Sequence, residues 1–286
     1  MEPRRQAALM TTYFVTGANS GIGRALVEAL AARGAGETIV LATRSEERTR
    51  PVLTDLKARY PAARTQWLHL DVSDLSSVRR AAQTFLATKQ TIDVLVNNAG
   101  IAGTRRLSKD GFDITYATNH IGPFLLTNLL LPRLREAPQG RVVNVASNAH
   151  FMTKEMDWSG LERRTTPKRS GFKDYAVTKL MNVLHAKELA RRLAGTRVTT
   201  YSLHPGAVAS NIWRSLPRPV QWISKLFMLS NEEGARTPLY CATAPALSTM
   251  SGRYYYKARE ARTSPLAEDA ALARELWERT EAITAS

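Results

Sequence analysis

Short apolar runs and longer amphipathic stretches alternate along the chain of 286 residues. Runs that are apolar at most positions predict strands buried on both faces, and apolar residues three or four apart predict helices. The predicted strands are Tyr13–Thr16, Thr38–Ala42, Thr65–Leu70, Val94–Asn97, Arg141–Ala146, Arg197–Leu203 and Gly252–Tyr256. The predicted helices are Ile22–Arg33, Glu46–Tyr60, Asp74–Thr88, Gly111–Leu134 and Tyr175–Leu193. Because strands alternate with helices, we expect an α/β fold: a single doubly wound, parallel, seven-stranded sheet with helices on both faces.

No internal repeat and no linker rich in Pro or Gly divides the chain, so we expect one domain over residues 1–286. Two segments interrupt the alternation, a polar one at 151–173 and one with prolines and apolar residues at 207–230. Both follow strands at their carboxyl ends, which is where open α/β sheets bind ligands. They are predicted to be substrate lids, with an ordinary packed helix as an equal alternative for the second.

Composition narrows the class of protein. The chain is 44% hydrophobic and 23% charged, which is typical of a globular protein and excludes disorder, collagen and coiled coil for the whole chain. The single cysteine, Cys241, cannot form an internal disulfide, so a fold held together by disulfides is excluded. No apolar run reaches the length of about 18 residues that a membrane span needs. We therefore expect no transmembrane segment and a cytoplasmic location.

The balance of charge is less ordinary, with 40 Lys and Arg against 25 Asp and Glu and a net charge of +15. The basic residues are spread along the chain, with only short clusters such as Arg105-Arg106 and Arg163-Arg164. A nucleic-acid site would concentrate them on one element together with aromatic residues, so we expect no nucleic-acid partner. A basic surface does favour an anionic cofactor.

A glycine-rich turn directly follows the first predicted strand and opens the first predicted helix. Its glycines allow the backbone to turn sharply and to approach a pyrophosphate, while the helix N-terminus offers free N–H groups to the phosphates. The turn therefore predicts a dinucleotide site of the Rossmann type, although a glycine turn without a ligand is the alternative. Its candidate contacts are Gly17, Asn19, Ser20, Gly21, Ile22 and Gly23.

Two later strand ends refine the choice of cofactor. An NAD site usually has a carboxylate at the end of the second strand, but this strand runs into Arg44. A guanidinium matches a 2′-phosphate in charge and in geometry, so Arg44 predicts NADP(H). Asp71 and Val72 end the third strand, where the carboxylate could accept from the adenine amino group. The alternative for Asp71 is a helix N-cap, a role that Ser73 or Asp74 could fill instead.

Candidate catalytic groups come from two more segments. Tyr175 and Lys179 are four residues apart and share a helix face, so the ammonium could lie near the phenol and lower its pKa. A surface pair is the alternative. Ser147 follows a strand, where its hydroxyl would lie at the carboxyl edge of the sheet. Asn119 interrupts a helical pattern, which indicates a local hydrogen-bonding role or a bend.

Taken together, these motifs resemble the short-chain dehydrogenase/reductase family. The matching motifs are TGANSGIG, Asp71, NNAG, Asn119, Ser147, YAVTK and His204-Pro205-Gly206, in the family's order over nearly the whole chain. The stretches VNVASNAH and VTTYSLHPGAV further resemble the branch that contains retinol dehydrogenases. That branch acts on retinal-type and other lipophilic aldehydes and ketones, usually with NADPH.

The resemblance implies a role for each matched residue. Tyr175 would be the general acid or base, Lys179 would hold the nicotinamide ribose, Ser147 would bind the substrate oxygen, and Asn119 would anchor a relay water. The remaining implied cofactor contacts are Asn98, Ala99, Gly100, Pro205, Gly206, Val208 and Ser210. No metal is implied, and His150 and residues 151–173 would border the substrate.

The expected function is therefore an NADP(H)-dependent oxidoreductase with a lipophilic carbonyl or alcohol substrate that is retinal-like, steroid-like or fatty. The competing hypothesis is a catalytically silent dinucleotide-binding regulator or scaffold, since fold alone does not establish function. A homodimer is a further expectation, through the helical patterns at 111–134 and 175–193. The alternative is that a helix face containing Leu125, Leu129 and Leu180 is wholly internal.

Overall fold

The computed structural model describes residues 11–34, 36–104, 106–162, 171–207 and 229–285. The strands are β1 (Thr11–Thr16), β2 (Glu37–Thr43), β3 (Arg64–His69), β4 (Val94–Asn97), β5 (Gly140–Val145), β6 (Val198–His204), β7 (Arg253–Tyr256) and β8 (Arg259–Glu260). The helices are α1 (Gly21–Ala31), α2 (Glu46–Arg59), α3 (Leu75–Ala87), α4 (Ile114–Tyr116), α5 (Gly122–Glu136), α6 (Gly171–Arg192), α7 (Asn231–Thr243) and α8 (Ala270–Thr284).

Within the described residues the strands form one sheet in the order β3-β2-β1-β4-β5-β6-β7-β8. Neighbouring strands from β3 to β7 run parallel, so the α/β doubly wound fold of the Rossmann type is confirmed. The order of the strands reverses between β1 and β4. This reversal leaves a crevice at the carboxyl edge of the sheet, where the segments after β1 and β4 diverge.

The predicted number of seven strands is wrong by one. The two-residue strand β8 pairs antiparallel with β7, after a tight turn in which Lys257 and Ala258 have φ of 51° and 55°. Such a hairpin turn can usually be predicted from Asn-Gly or a similar pair, because glycine and asparagine tolerate positive φ. The pair Lys257-Ala258 is not such a signal, and the exposed charged residues Arg259 and Glu260 do not have the pattern of a strand.

Side chains alternate between the two faces of the sheet and build a core on each. Tyr13 and Val15 of β1 point into the core formed with α1, α2 and α7. Phe14 points into the opposite core, formed with α3, α5, α6 and α8. Cys241 of α7 is fully buried, as expected for a small apolar residue. Leu125 and Leu180 are 5% and 0% exposed within one chain, which confirms the internal alternative for these two leucines, whereas Leu129 is only partly buried.

The helix predicted at 111–134 is interrupted. Asp113 caps α4 by accepting hydrogen bonds from the amides of Thr115 and Tyr116, at 2.8 and 3.2 Å. A π-helical turn, Ala117–Ile121, then separates α4 from α5. The predicted helix is therefore confirmed from Ile114 onward, but it contains a π-helical turn at Asn119, because an apolar pattern does not reveal one extra residue in a turn.

Helix α6 begins at Gly171, four residues before the predicted start, so Tyr175 lies in its second turn. Most of the two predicted lids, residues 163–170 and 208–228, lies outside the described residues. Of the helices in the described ranges, none combines the length and apolar character required to span a membrane.

Candidate active site

A cleft of about 610 Å³ opens at the carboxyl edge of the sheet, over the reversal between β1 and β4. Its volume lies in the range of about 300–1,000 Å³ that is usual for small-molecule and cofactor sites. The predicted residues on its wall are Gly17, Asn19, Ser20, Gly21, Ile22, Gly23, Arg44, Asp71, Val72, Asn98, Ala99, Gly100, Tyr175, Lys179 and Pro205. The structure thus brings the glycine turn and the Tyr175–Lys179 pair to one cavity. Gly206 adjoins the cleft without lining it, and Val208 and Ser210 lie outside the described residues.

The glycine turn has the conformation that its sequence predicts. Gly17 and Gly21 have φ of +66° and +55°, in the left-handed region that side chains disfavour. Gly23 is needed for space, because a Cβ there would lie 2.4 Å from the Gly17 carbonyl oxygen and 2.5 Å from the Asn98 amide nitrogen. The first turn of α1 is not capped by the side chain of Ser20. The backbone therefore lies open to a ligand at this end of the cleft.

Asn98 holds this turn from the neighbouring strand. Its side-chain amide donates to the Thr16 carbonyl oxygen at 2.9 Å, and its main-chain amide donates to the Thr16 hydroxyl at 3.0 Å. The amide of Ala99 donates to the same hydroxyl at 3.0 Å. Asn98 lines the cleft as predicted, but its side chain is engaged in fixing the glycine turn.

The end of β2 carries more positive charge than was predicted. Arg44 lies exposed on the cleft wall, and Arg48 lies beside it in the first turn of α2. That turn is fixed because Ser45 accepts a hydrogen bond from the Arg48 amide at 3.2 Å. Arg48 was missed, although its position four residues after Arg44 at a helix start was a usable signal. Arg106 also lines the cleft and carried no recognisable motif.

The sequence left open whether Asp71 caps the third helix or faces the cofactor cleft. Asp74 caps α3 by accepting from the Ser77 amide at 3.1 Å. Asp71 is therefore not needed as the cap, and it lines the cleft with one carboxylate oxygen bound to the amide and hydroxyl of Ser73, at 3.0 and 2.6 Å. The contact of Asp71 with an adenine stays a prediction.

Lys179 is the most perturbed cation of the cleft. Its side chain is 3% exposed and donates to the Val145 carbonyl oxygen at 2.7 Å. Burial penalises the charged form and lowers the pKa of Lys179 to about 7. A group with this pKa exchanges its proton readily at neutral pH.

Tyr175 lies beside it, with the Lys179 Nζ 5.5 Å from the centre of the phenol ring. Burial raises the pKa of Tyr175, and a hydrogen bond with the Ser147 hydroxyl acts in the opposite direction. The prediction that the lysine charge would lower this pKa is wrong for the structure. The reason is that burial acts on both groups, raising the phenol pKa and lowering the pKa of the ammonium. Tyr175 is accordingly protonated at pH 7.

Ser147 follows β5 and begins a 3-10 turn, Asn148–Met152, that packs against the start of α6. Its hydroxyl oxygen accepts from the Ala149 amide at 3.1 Å. The hydroxyl hydrogen is thereby left to donate elsewhere, and the Ser147 hydroxyl is close enough to Tyr175 to act against the rise of its pKa. A donor pair of this kind suits an oxygen on which negative charge develops.

Asn119 lies in the π-helical turn and is 1% exposed. Its side chain donates to the Ile101 carbonyl at 2.9 Å and to the Thr178 hydroxyl at 3.0 Å, and it accepts from the Ile101 amide at 2.8 Å. Its main-chain carbonyl accepts from the side-chain amide of Asn182 at 2.7 Å, a contact that the sequence did not suggest. Asn119 thus links the cleft loop to α6, and its role with a relay water stays a prediction.

The family model of short chain dehydrogenases matches residues 11–158, which include the glycine turn, Asp71 and Ser147. The chain belongs to the short chain dehydrogenase family. This family consists of oxidoreductases that act on alcohols and carbonyls with a nicotinamide dinucleotide.

Relatives place this short chain dehydrogenase near the retinol dehydrogenases. It is 42% identical to human dehydrogenase/reductase SDR family member 13, over 93% of this chain and 71% of that protein. It is 38% identical to human retinol dehydrogenase 11, over 92% of this chain and 82% of that protein. A crystal structure of a protein from Mycobacterium paratuberculosis matches it with a TM-score of 0.76 and 32% identity, over 97% and 94% of the two chains.

The cleft of this short chain dehydrogenase fits a dinucleotide on structural grounds. A side chain at Gly23 would fill the space beneath the turn, and the arginines at the opposite wall could meet phosphate oxygens. Two of the buried histidines serve in packing: His185 lies near Phe124 and Trp277, and His204 lies near Tyr256. Among the described residues no group of His, Cys, Asp and Glu is arranged to hold a metal ion.

Proposed function

We propose that the protein is an NADP(H)-dependent oxidoreductase that interconverts a lipophilic aldehyde or ketone and its alcohol. The observation that carries the proposal is that Tyr175 and Lys179 line the same cleft as the glycine turn. A cofactor held by the turn would therefore reach the two groups that move the proton.

The preference for NADP(H) rests on Arg44 and Arg48. Both are exposed on the cleft wall at the end of β2, where an NAD site would carry a carboxylate. Two guanidinium groups favour a 2′-phosphate through charge-assisted hydrogen bonds. Asp71 would accept from the adenine amino group at the same end. When bound, the cofactor supplies or accepts the hydride.

The proton chemistry belongs to the other end of the cleft. During reduction the phenol of Tyr175 would donate its proton to the substrate oxygen, while Ser147 donates a hydrogen bond to the same oxygen. Lys179, with a pKa near neutrality, would return a proton to Tyr175. Asn119 would keep the loop that carries Ile101 against α6, through its three hydrogen bonds. In the oxidation of an alcohol the same groups act in reverse.

The proposed substrate is lipophilic because apolar side chains are exposed beside Tyr175 and on the turn that follows Ser147. Phe172 is 37% exposed, with its ring centre 6.0 Å from that of Tyr175. Phe151 and Met152 are 49% and 61% exposed and belong to the turn that begins at Ser147. Large apolar side chains exposed together often mark a site for an apolar ligand. The names of the retinol dehydrogenase relatives agree with this class of substrate.

Cofactor titrations and turnover assays together test the proposal. The purified protein is titrated with NADPH and with NADH by nicotinamide fluorescence, and a panel of lipophilic aldehydes and ketones is then assayed, each beside Tyr175→Phe. We expect tighter binding of NADPH, turnover of at least one panel member, and a loss of about 100-fold or more in Tyr175→Phe with NADPH affinity retained.

Three other results would count against it. Equal binding of NADPH and NADH would refute the role of the arginines. If neither NADPH nor NADH binds, the proposed dinucleotide site is refuted. Tight binding of NADPH without turnover of any panel member would favour the silent regulator instead.

A further inference from the structure

We propose that His150 is a positioning residue for Ser147 and that it connects this serine to the carboxyl-terminal part of the chain at Ser264. The proposal rests on the proposed function, because it concerns the serine that would bind the substrate oxygen. It also corrects the expectation that His150 borders the substrate, since the side chain is fully buried.

The hydrogen bonds of His150 define its tautomer. The main-chain amide of Ser264 lies 3.1 Å from Nε2, and because an amide can only donate, Nε2 must be the accepting nitrogen. The hydrogen of the neutral ring is then on Nδ1, which lies 2.7 Å from the Ser147 carbonyl oxygen and donates to it. Burial lowers the pKa of His150, which keeps the ring in the neutral form that this arrangement requires.

The Ser147 carbonyl thereby receives two hydrogen bonds from one residue. The second comes from the main-chain amide of His150, at 3.1 Å. The two donors orient the peptide plane that follows Ser147, and the adjacent amide of Ala149 binds the serine hydroxyl oxygen at 3.1 Å. The position of the hydroxyl is therefore determined by a turn that the imidazole closes.

The carboxyl-terminal part of the chain holds this turn in a second way. The Tyr254 ring of β7 packs against His150, with ring centres 5.0 Å apart, and its hydroxyl donates to the Asn148 side chain at 2.8 Å. Tyr254 and Ser264 both lie beyond residues 11–158, the range that the family model matches. Part of the catalytic geometry is thus maintained from outside the segment that contains Ser147.

The test compares three substitutions at His150. Asn places an amide nitrogen near the position of Nδ1 and can still donate to Ser147, whereas Gln reaches the position of Nε2 and Leu restores neither bond. We expect His150→Gln and His150→Leu to lose about 10- to 100-fold in kcat, as a small displacement of a reacting group does. His150→Asn should recover most of this loss. KM for NADPH and the NADPH dissociation constant should stay within a factor of about three in all variants that fold, as judged by circular dichroism.

A double variant separates positioning from general destabilisation. If His150 acts through the serine, His150→Gln should have little further effect on kcat in a Ser147→Ala background. His185→Phe is the control for the loss of a buried imidazole, and it should leave kcat unchanged because His185 contacts Phe124 and Trp277 rather than the site.

Several results would overturn the proposal. They are a full effect of His150→Gln in the Ser147→Ala background, a wild-type kcat in His150→Leu, or equal losses for the Asn and Leu variants. A wild-type protein with no turnover would overturn the proposed function and this inference together. Wild-type turnover that is insensitive to His150 would overturn this inference alone.

Discussion

At one end of the cleft Arg44 and Arg48 are exposed to solvent, whereas at the other end Lys179 is 3% exposed. A guanidinium is a permanent cation. Burial brings the pKa of Lys179 to about 7, so its charge changes near neutrality. A permanent positive charge suits the recognition of a phosphate, whereas a group that can release its proton suits proton transfer. The two ends of the cleft thus carry positive charges of different kinds because they differ in burial.

Substitution of Lys179 by Met should have the largest effect. The variant loses the buried amine beside Tyr175, so kcat/KM for carbonyl reduction should fall by about 10²- to 10⁴-fold. In the wild type this rate constant should decline as pH rises through about 7, because the ammonium then loses its proton. Rates measured from pH 5.5 to 9 check both statements. An identical pH profile in the two proteins would contradict the role of Lys179.

Gly23→Ala should disrupt the glycine turn by filling the space beneath it. A Cβ at this position would lie 2.4 Å from the Gly17 carbonyl oxygen, so the turn must shift. We expect NADPH affinity to fall by about tenfold or more, which fluorescence titration measures. Arg24→Ala on the same helix turn is the control, since its side chain bonds to the exposed surface at Glu28. Equal affinities in the two variants would show that the turn does not hold the cofactor.

Arg44→Ala and Arg48→Ala should each raise the NADPH dissociation constant by about tenfold, as expected for a lost charge-assisted hydrogen bond. The NADH dissociation constant should not change. Because both arginines are exposed, the difference between wild type and variant should shrink at high salt. No such salt dependence is expected for Lys179→Met. Titrations of each variant with NADPH at low and high salt measure this contrast in the dissociation constants. Equal weakening of both cofactors would refute recognition of the 2′-phosphate.

His185→Phe should have the smallest effect on the reaction. It tests how a buried imidazole outside the site affects stability. His185 lies on α6 like Lys179, and burial lowers its pKa from 6.5 to about 4. Its neutral form therefore contributes stability above pH 6.5 that is lost as pH falls toward 4. By linkage this amounts to roughly 3 kcal/mol at most. Urea unfolding between pH 4 and 7 should show a shallower pH dependence in His185→Phe, and no change in the exposed variant His69→Gln.

Much of the site could be predicted because its groups are local in sequence. The glycine turn needs only a strand, three glycines and a helix start, and Tyr175 and Lys179 share a face because they are four residues apart. Arg48 escaped prediction, although its position four residues after Arg44 at a helix start was a usable signal. The β7–β8 hairpin escaped as well, because Lys257 and Ala258 adopt positive φ without the residues that usually do so.

The sequence by itself determined the doubly wound order of elements, the glycine-rich turn and the spacing that places Tyr175 and Lys179 on one helix face. Short-range periodicity and spacing carry that information. Only the tertiary structure decided how these groups are tuned. The burial that lowers the pKa of Lys179 and raises the pKa of Tyr175 comes from packing between elements. The bond from Ser264 to His150, and through it to Ser147, joins residues 114 positions apart. Desolvation and long-range hydrogen bonds exist only once the chain has folded, so no local pattern records them.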